Sequence, residues 1–476
     1  MKRTKIICTL GPGTDKPGIL EKMLEAVMNV GRCNFSHGTH EAQLEIMNML
    51  LDAAKRVNKT VALLLDTKGP EMRLGKFKDG KVRLTEGEQF IITTKELEGT
   101  KEIAMVNHKL LAQEVVPGNK ILLSDGLISL NVERVEGDDI ITTVLNSGDI
   151  STGKRVAVPG VAVNLPFLSE QDKNDIVFGI KNNMDFIAAS FVQRAADILA
   201  IRELLNQHNY TMDIIAKIEN EEGVKNIDEI LEVADGIMVA RGDLGVEIPT
   251  QEVPVVQKMI IEKCNKIGKP VITATQMLES MVTNPRPTRA EASDVANAIM
   301  DGTDAIMLSG ETASGEYPVE SVQMMATIAE RMEQELKYTE ILKAKGLEIG
   351  NNVTDAISHA TVQVAHETKS KAILTASETG FAARMISKYR PSKPIIAVTP
   401  SEKVMRKMQL YWGVQGILGE SFENSDNMAK KVAETALKSG LVQKGDMVII
   451  TAGVPVGKAG STNMLRINIL GEDIAQ

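Results

Sequence analysis

The stretch IIAKIENEEG, residues 214–223, contributes most to the prediction of the fold. Its apolar run ends abruptly in Lys217 and Glu219, and since side chains alternate along a strand, the two charges point to the same side. Burying a charge without a partner costs on the order of 3–5 kcal/mol. The pattern marks either a solvated strand end or a site where a cation and a metal-binding carboxylate face one phosphorylated ligand. We favour the second interpretation, because similar patterns recur at other strand ends.

Strand and helix patterns alternate on both sides of this stretch. The strand-like segments are Lys5–Leu10, Val30–Phe35 and Val61–Asp66, followed much later by Asp185–Ser190, Asp213–Lys217, Gly236–Ala240, Pro270–Ala274 and Ala305–Leu308. Eight βα units close a barrel whose active site lies at the carboxyl ends of the strands. We therefore predict an α/β fold built on a (β/α)8 TIM barrel, with its first part in residues 1–70 and its second part in residues 169–345.

The region between the two parts, residues 71–168, consists of short β-like runs separated by Gly, Asp and Asn turns. Because this inserted all-β domain follows the third strand, it grows from the active-site face and can act as a lid. The barrel is predicted to end near Lys345, in a loop-like segment over residues 343–346. Residues 346–476 form a C-terminal α/β domain, whose candidate strands are Lys371–Thr375, Pro394–Val398, Val414–Leu418, Asp446–Thr451 and Met464–Leu470.

Composition and charge narrow the function classes. The 476 residues are 43% hydrophobic and 3% aromatic, with a net charge of −9 and a pI near 5.5. This acidic balance argues against nucleic acid as a partner. No run approaches the ~18 apolar residues that span a bilayer, so no membrane partner is expected. Three widely spaced cysteines without a secretory leader are typical of free thiols in a reducing cytoplasm.

Charged and polar side chains follow the ends of the predicted barrel strands. They are Arg32, Asn34, Ser36 and His37 after the second strand, Asp66, Thr67, Lys68, Glu71 and Arg73 after the third, and Lys217, Glu219, Ala240–Asp243, Thr275, Gln276 and residues 309–311 after the later strands. Two separated carboxylates, Glu219 and Asp243, suit Mg²⁺, which combines a few protein oxygens with substrate oxygens. The cations suit phosphate and carboxylate groups. Each signal is weak alone, but together on one face they predict a site for a phosphorylated ligand.

Six motifs stand in order along the chain: MNVGRCNFSHG (28–38), LDTKGPE (65–71), IAKIEN (215–220), MVARGDLG (238–245), TATQML (273–278) and NPRPTRAE (284–291). Together they resemble the pyruvate kinase family over essentially the full length of the chain. The resemblance implies a bacterial-type member without an extra C-terminal domain, a cytoplasmic homotetramer with a β lid and a C-terminal regulatory domain. It implies a phosphotransferase that moves the phosphoryl group of phosphoenolpyruvate to ADP, giving pyruvate and ATP.

The resemblance also implies roles for individual residues. Arg32 and Lys217 bind the transferring phosphoryl group, the backbone around Ala240, Gly242 and Asp243 receives the substrate carboxylate, and Thr275 lies near the carbon that is protonated. Glu219 and Asp243 hold Mg²⁺ or Mn²⁺, while Asn34, Ser36, Asp66 and the Thr67 carbonyl hold K⁺. Asn34, His37 and Arg73 face the nucleotide. This division of labour agrees with the needs of phosphoryl transfer, which are mainly positioning and charge neutralisation.

The chain departs from the family pattern at Gln171, where a lysine that helps to bind the nucleotide is common. The departure removes one cation and leaves that contact in question. Lys173 is the nearest replacement.

A hydroxyl-rich turn in the C-terminal domain contains Thr375, Ser377 and Thr379 and precedes a helix. Such a turn suits either a phosphate or a plain helix cap, and the resemblance favours a site for a phosphorylated effector, with residues 452–463 as a second loop. Glu378 lies within the turn, and Ala382 stands where members activated by fructose 1,6-bisphosphate usually have a hydroxyl. We therefore expect a monophosphate effector rather than the bisphosphate.

Two other functions remain possible at this stage. A metal-dependent lyase or aldolase acting on a pyruvate-like enolate would need the metal carboxylates, but neither Lys217 nor a lid for a second substrate. A non-enzymatic sensor of sugar phosphates would be expected to have lost metal or cation positions, and none of the central ones is lost.

Overall fold

A computed structural model of the protein describes residues 2–161, 163–346, 352–421, 425–454 and 462–472. The chain begins with three strands of a barrel and two helices. These are β1 (Lys5–Thr9), α1 (Ile19–Glu25), β2 (Val30–Asn34), α2 (His40–Arg56) and β3 (Ala62–Asp66). β1 and β3 are buried along their whole length, because parallel strands of a barrel are covered on both faces.

The insertion that follows β3 is a β domain, as predicted. Its elements are β4 (Met72–Arg73), β5 (Lys81–Leu84), β6 (Gln89–Thr93), β7 (Ile103–Met105), α3 (Leu111–Glu114), β8 (Lys120–Leu123), β9 (Ile128–Glu136), β10 (Asp139–Val144), β11 (Gly148–Ser151) and β12 (Arg155–Ala157). Seven strands form one sheet in the order β4-β12-β8-β9-β10-β6-β7, and β11 pairs with β5. The single helical turn α3 is the one departure from all-β structure among the described residues. The domain has its own apolar core, around Phe77, Phe90 and Leu130.

The second part of the barrel completes the alternation. Its elements are α4 (Glu170–Lys181), β13 (Phe186–Ala189), α5 (Ala195–Gln207), β14 (Asp213–Ile218), α6 (Glu221–Lys225), α7 (Ile227–Val233), β15 (Gly236–Ala240), α8 (Arg241–Glu247), α9 (Val253–Ile267), β16 (Val271–Ala274), α10 (Arg289–Asp301), β17 (Ala305–Leu308), α11 (Gly310–Ala313), α12 (Pro318–Glu335) and α13 (Tyr338–Gly346). The eight parallel strands close in the order β1-β17-β16-β15-β14-β13-β3-β2, which confirms the predicted barrel.

The loop predicted over residues 343–346 is wrong, because this segment is the end of α13. Lys343, Ala344 and Lys345 are strong helix formers, and the buried Leu342 anchors the helix. Small and charged residues alone therefore do not distinguish a loop from the end of a helix in this segment.

The C-terminal part is an α/β domain, as predicted. Its elements are α14 (Val353–Glu367), β18 (Ala372–Ala376), α15 (Phe381–Lys388), β19 (Ile395–Thr399), α16 (Glu402–Lys407), β20 (Val414–Leu418), α17 (Ser425–Lys438), β21 (Met447–Gly453) and β22 (Thr462–Ile469). The sheet order is β20-β19-β18-β21-β22. Only β22 among these strands runs antiparallel to its neighbour.

The C-terminal domain is joined to the amino ends of the barrel strands by ion pairs. Three aspartates that begin or immediately precede β13, β14 and β17 each receive a cation from this domain. The pairs are Asp185 with Arg406 at 2.9 Å, Asp213 with Lys407 at 2.7 Å and Asp304 with Arg390 at 2.7 Å. Two of these carboxylates also accept a backbone N–H of a neighbouring strand, from Leu63 and Val271 respectively. The interface therefore lies at the end of the barrel opposite the predicted active site.

Replacing Asp185 with asparagine is expected to change how stability depends on pH. Burial raises the pKa of Asp185 to about 6, and Arg406 only partly opposes this shift. Between about pH 4 and pH 6, Asp185 is protonated in the folded protein and ionised in the unfolded chain. The free energy of unfolding therefore falls as pH rises through this range, by on the order of 3 kcal/mol. The Asp185→Asn protein lacks this loss. Its melting temperature, measured from pH 4.5 to 7.5, should rise relative to that of the wild type up to about pH 6 and then stay level.

The control for this experiment is Asp149→Asn, which changes the exposed partner of Arg83 in the lid. Its melting temperature should follow that of the wild type at every pH. A constant difference between Asp185→Asn and the wild type over the whole range would contradict the assignment of the proton to Asp185.

Candidate active site

Four charged side chains meet at the carboxyl ends of β2, β3 and β14. They are Arg32, Asp66, Lys217 and Glu219, and all four are buried. The pairing of β2 with β3 places Asn34 opposite Asp66. Lys217 and Glu219 lie on the same side of β14 and contact each other at 3.0 Å, as the alternation along the strand predicts.

Lys217 is the centre of this cluster. Its Nζ lies 3.0 Å from Asp66 Oδ1 and 3.0 Å from Glu219 Oε1, and it donates to Ser190 Oγ at 2.7 Å. Burial alone would lower the pKa of Lys217, but the carboxylates of Asp66 and Glu219 outweigh burial and hold the pKa above its ordinary value. The side chain is therefore a fixed ammonium group at the mouth of the barrel.

Asp66 holds a second cation beside Lys217. Arg32 Nε lies 2.6 Å from Asp66 Oδ2, and Arg32 Nη1 donates to Thr9 Oγ1 at 2.8 Å. Burial would raise the pKa of Asp66, but the charges of Arg32 and Lys217 together lower it. One ionised carboxylate thus orients an arginine and a lysine next to each other, an arrangement suited to an anionic group.

Glu219 is fixed by the backbone as well as by Lys217. Its Oε2 accepts a hydrogen bond of 2.7 Å from the N–H of Phe191, a residue with a left-handed φ of 57°. Burial raises the pKa of Glu219 to about 7, against the influence of Lys217 and with a further upward contribution from Asp243. The two predicted metal carboxylates therefore lie within electrostatic range of each other.

The donor set fits a divalent cation that takes few protein ligands. Among the described residues, no cluster of three or more His, Cys, Asp and Glu side chains has the arrangement of a metal site. Glu219 and Asp243 supply two carboxylates, and Mg²⁺ commonly combines one or two carboxylates with water and substrate oxygens. A cation beside Glu219 would offset the burial and the neighbouring charges that raise the pKa of this carboxyl group.

Arg155 enters the same mouth from the lid. Its guanidinium group forms ion pairs with Asp243 and, at 3.4 Å, with Glu247, and it lies 4.8 Å from the centre of the Phe191 ring. Sequence analysis missed Arg155, because 88 residues separate it from Asp243. The only local signal is a basic pair, Lys154 and Arg155, in the segment that returns from the insertion to the barrel.

The segment predicted to receive the substrate carboxylate is the start of α8. The N–H of Gly242 donates to Thr275 Oγ1 at 2.7 Å, and a Cβ on Gly242 would lie 3.3 Å from the same oxygen. Thr275 and Gln276 both have left-handed φ angles, 70° and 52°, which is unusual for residues other than glycine. Arg241 ties this loop to α8 by donating to the Thr275 carbonyl at 2.9 Å. Thr275 is therefore held against Gly242 in a strained conformation.

The residues predicted to hold K⁺ lie next to this cluster. The N–H of Ser36 donates to Asn34 Oδ1 at 3.1 Å, and the Thr67 carbonyl accepts a hydrogen bond of 2.6 Å from Ser190 Oγ. Ser190 thus connects Thr67 to Lys217. Sequence analysis did not identify Ser190 as part of the site, because a neutral hydroxyl at a strand end gives no charge signal.

The residues predicted to face the nucleotide are more exposed. His37 is exposed and Arg73 is half-buried. Arg73 binds Glu71 at 2.6 Å and donates to the Gly153 carbonyl at 2.8 Å, so it belongs to the hinge of the lid. Gln171 is exposed on α4, and Lys173 pairs there with Glu170 at 2.6 Å.

Glu311 differs from the other carboxylates at the strand ends. It is completely buried and accepts backbone hydrogen bonds from Leu278 at 3.0 Å and Ser309 at 2.7 Å. These bonds give Glu311 a structural role between two loops.

The hydroxyl-rich segment of the C-terminal domain begins inside β18, which contains Thr375, and only Ser377 and Thr379 lie in the turn between β18 and α15. Thr375 and Ser377 are buried and Thr379 is exposed. Thr379 Oγ1 accepts a 3.4 Å hydrogen bond from the N–H of Phe381, the first residue of the helix, whose N-cap residue is Gly380. Residues 455–461 of the predicted second loop lie outside the described residues.

Comparisons with known proteins cover both main parts of the chain. The sequence model of a family described as "Pyruvate kinase, barrel domain" matches residues 1–322, and that of "Pyruvate kinase, alpha/beta domain" matches residues 355–468. The chain is 53% identical to a pyruvate kinase of Geobacillus stearothermophilus, over all of this chain and 81% of the relative. It is 49% identical to a pyruvate kinase of Clostridium acetobutylicum, over 99% of this chain and all of the relative.

A solved structure shows the same architecture. It is that of a pyruvate kinase from Cryptosporidium parvum, with a TM-score of 0.94 and 40% sequence identity, over 98% of this chain and 96% of that one. No helix within the described residues is long and apolar enough to cross a membrane.

Proposed function

The chain belongs to the pyruvate kinase family, and from this premise we propose that its Lys217 and Arg32 grip the phosphoryl group that it transfers. The enzyme is a phosphotransferase of glycolysis, which moves the phosphoryl group of phosphoenolpyruvate to ADP and gives pyruvate and ATP. The lyase or aldolase hypothesis and the sensor hypothesis are therefore not retained.

The proposal for the site rests mainly on the ion pairs that Asp66 forms with two cations, Lys217 and Arg32. Lys217 at 3.0 Å and Arg32 at 2.6 Å share this carboxylate, so both are oriented before a substrate arrives. A transferring phosphoryl group spreads negative charge over its oxygens. Preorganised cations stabilise that charge without reorganising during the reaction, which makes Lys217 and Arg32 the proposed catalytic pair.

Membership of the family implies a divalent metal requirement, and we assign the ion to Glu219 and Asp243. Mg²⁺ is the proposed ion and Mn²⁺ a substitute, because both accept carboxylate and substrate oxygens. When bound there, the ion would supply positive charge to the phosphoryl and enolate oxygens of the substrate. The role of the chain is to fix Glu219, through Lys217 and the Phe191 N–H, and to present Asp243 in the first turn of α8.

The start of α8 is the proposed site for the substrate carboxylate, through the backbone of Ala240, Gly242 and Asp243. A helix start presents free N–H groups to an anion, although the N–H of Gly242 is already bonded to Thr275 Oγ1 at 2.7 Å. Substrate binding would exchange this bond and free a lone pair of the Thr275 oxygen, whose hydroxyl donates to the Ala274 carbonyl at 2.6 Å. Thr275 is thereby proposed to guide the proton to the methylene carbon, directly or through water.

Asn34, His37 and Arg73 are the proposed contacts of the nucleotide at the edge between barrel and lid. Asn34, Ser36, Asp66 and the Thr67 carbonyl are the proposed ligands of K⁺. The assembly into a homotetramer and the cytoplasmic location are further proposals that rest on the family.

The experiment that tests the proposed site measures two reactions on the same preparation. One is ATP formation from phosphoenolpyruvate and ADP with Mg²⁺, with and without K⁺. The other is the exchange of pyruvate methyl protons with solvent. If Lys217 and Arg32 act on the phosphoryl group and Thr275 on the proton, changes at the two places should affect the two reactions unequally.

The turn of Thr375, Ser377 and Thr379 is the proposed effector site, for a phosphorylated metabolite. The turn precedes α15, a helix of eight residues, and its exposed hydroxyl, Thr379, accepts a hydrogen bond from the N–H of Phe381. Glu378 is exposed within the turn, and a carboxylate beside a phosphate is repulsive. Ala382 offers no hydroxyl as a donor. Both features disfavour a ligand with two phosphates more than a ligand with one.

Fructose 1,6-bisphosphate is expected to activate the enzyme weakly or not at all, and a monophosphate such as ribose 5-phosphate, glucose 6-phosphate or AMP more strongly. The measurement is the saturation curve for phosphoenolpyruvate with each metabolite added in turn. Glu378→Lys should improve the response to the bisphosphate, whereas Glu367→Lys, the same charge change elsewhere in the domain, should not. Tight activation of the wild type by the bisphosphate, unchanged in Glu378→Lys, would show that the turn has been misinterpreted.

A further inference from the structure

Arg155 connects the lid to the barrel at the carboxylates of α8. Asp243 and Glu247 are four residues apart and therefore lie on one face of this helix. The guanidinium group binds both of them, and its side chain is only 8% exposed. Its two amino groups bind different carboxylates, Nη1 that of Asp243 and Nη2 that of Glu247, so the contact depends mainly on the positive charge of the side chain.

The position of Arg155 relates it to both proposed metal ligands. It binds Asp243 directly, and it lies over the ring of Phe191, whose N–H holds Glu219. Glu219 and Glu71 also contribute to the field at Arg155. A guanidinium group and a divalent ion are both cations, and both need the oxygens of Asp243.

We propose that Arg155 competes with the divalent ion for Asp243, so that metal binding releases β12 of the lid from α8. The proposal rests on the assignment of the metal to Glu219 and Asp243, and it adds a coupling between metal loading and the position of the lid. When no metal ion is bound, Arg155 of the lid neutralises the charge of Asp243. When an ion binds, Arg155 loses its closest partner, and the lid loses an anchor on the barrel.

The first test measures the direct binding of Mn²⁺ in the absence of substrates. The electron paramagnetic resonance signal of the free ion gives the concentration of unbound Mn²⁺. Arg155→Gln should bind Mn²⁺ at least about fivefold more tightly than the wild type, since an ion pair worth about 1 kcal/mol no longer opposes the metal. Arg155→Lys keeps the charge and should lie close to the wild type. Arg134→Gln removes the same charge from an exposed pair with Glu136 in the lid, and should also leave the affinity unchanged.

A further variant separates this inference from the metal assignment. Asp243→Asn should lose most Mn²⁺ binding, and if it binds as the wild type does, the assignment itself is wrong. If Asp243→Asn loses binding while Arg155→Gln matches the wild type, only the competition is refuted. If Arg155→Gln and Arg134→Gln both bind Mn²⁺ more tightly than the wild type, the change in net charge explains the effect, and the competition is also refuted.

The second test reports the position of the lid. Spin labels at Lys120→Cys in the lid and Glu203→Cys on the barrel occupy exposed positions, and the three native cysteines are buried. The distribution of label distances should be narrow without metal and should broaden with saturating Mg²⁺. In Arg155→Gln it should be broad without metal, and in Arg155→Lys narrow. A wild-type distribution that Mg²⁺ leaves unchanged, or a narrow one in metal-free Arg155→Gln, would overturn the coupling.

Discussion

Lys217→Met is expected to lower ATP formation by a factor of about 10²–10³ while sparing much of the exchange of pyruvate methyl protons with solvent. Removing one preorganised charge of this kind costs on the order of 3–4 kcal/mol. Lys217 is assigned to the phosphoryl group, whereas proton exchange is assigned to Thr275 and to the ion proposed at Glu219 and Asp243. The measurements are a coupled assay of pyruvate formation and proton NMR of pyruvate in D2O with Mg²⁺.

The structure supplies a check on folding and a matched control for this variant. When Lys217 is lost, Asp66 still has Arg32 as a partner at 2.6 Å, whereas the buried Glu219 loses the ammonium group that lies 3.0 Å from it, so the melting temperature of the variant is measured together with both rates. Lys225→Met changes an exposed lysine on the next helix, paired with Glu221 at 2.9 Å, and should leave both reactions near wild-type rates. Proton exchange lost as completely as transfer, in a variant that melts normally, would show that the two roles cannot be separated.

The fold was predictable because apolar strand patterns alternate with helix patterns along the chain, and because several of these strands end in charged side chains. Lys217 and Glu219 illustrate this most clearly. Their spacing of two places them on one side of β14, and their charges at the end of a buried strand indicate a site. The same reasoning led to Arg32 and Asp66, which lie 2.6 Å apart. The specific roles of these residues came from the resemblance to the family and not from the spacing.

The rest of the site could not be predicted, for two physical reasons. Ser190 bonds Lys217 at 2.7 Å, but a serine at a strand end carries no charge that distinguishes it from a cap or a turn. Arg155 reaches Asp243 only because the lid docks on the barrel, and a contact between two domains leaves no periodic pattern in the sequence. The helix over residues 343–346 was missed for a related reason, since the buried Leu342 stabilises it from outside the segment.

Withdrawal of K⁺ is expected to lower ATP formation by about 10²-fold. The proposed ligands are oxygens of Asn34, Ser36, Asp66 and Thr67, next to Lys217 and Arg32. The resemblance to the family implies that members able to dispense with K⁺ carry a lysine at the position of Glu71, whose ammonium group replaces the charge of the ion. Arg73 binds Glu71 at 2.6 Å, so that pair as a whole adds no positive charge. One missing unit charge about 5 Å from an anionic substrate, at an effective dielectric constant near 20, corresponds to about 3 kcal/mol.

The measurement is the rate of ATP formation in tetramethylammonium buffer, with KCl or NaCl added. Glu71→Lys should keep a larger fraction of its activity without K⁺ than the wild type does, because its ammonium group is repelled by Arg73 and drawn toward the oxygens of the ion site. Glu98→Lys makes the same charge change at an exposed residue of the lid that pairs with Lys76. This variant should remain as dependent on K⁺ as the wild type. Full wild-type activity with tetramethylammonium as the only monovalent cation would show that Lys217 and Arg32 neutralise the substrate without help from a bound ion.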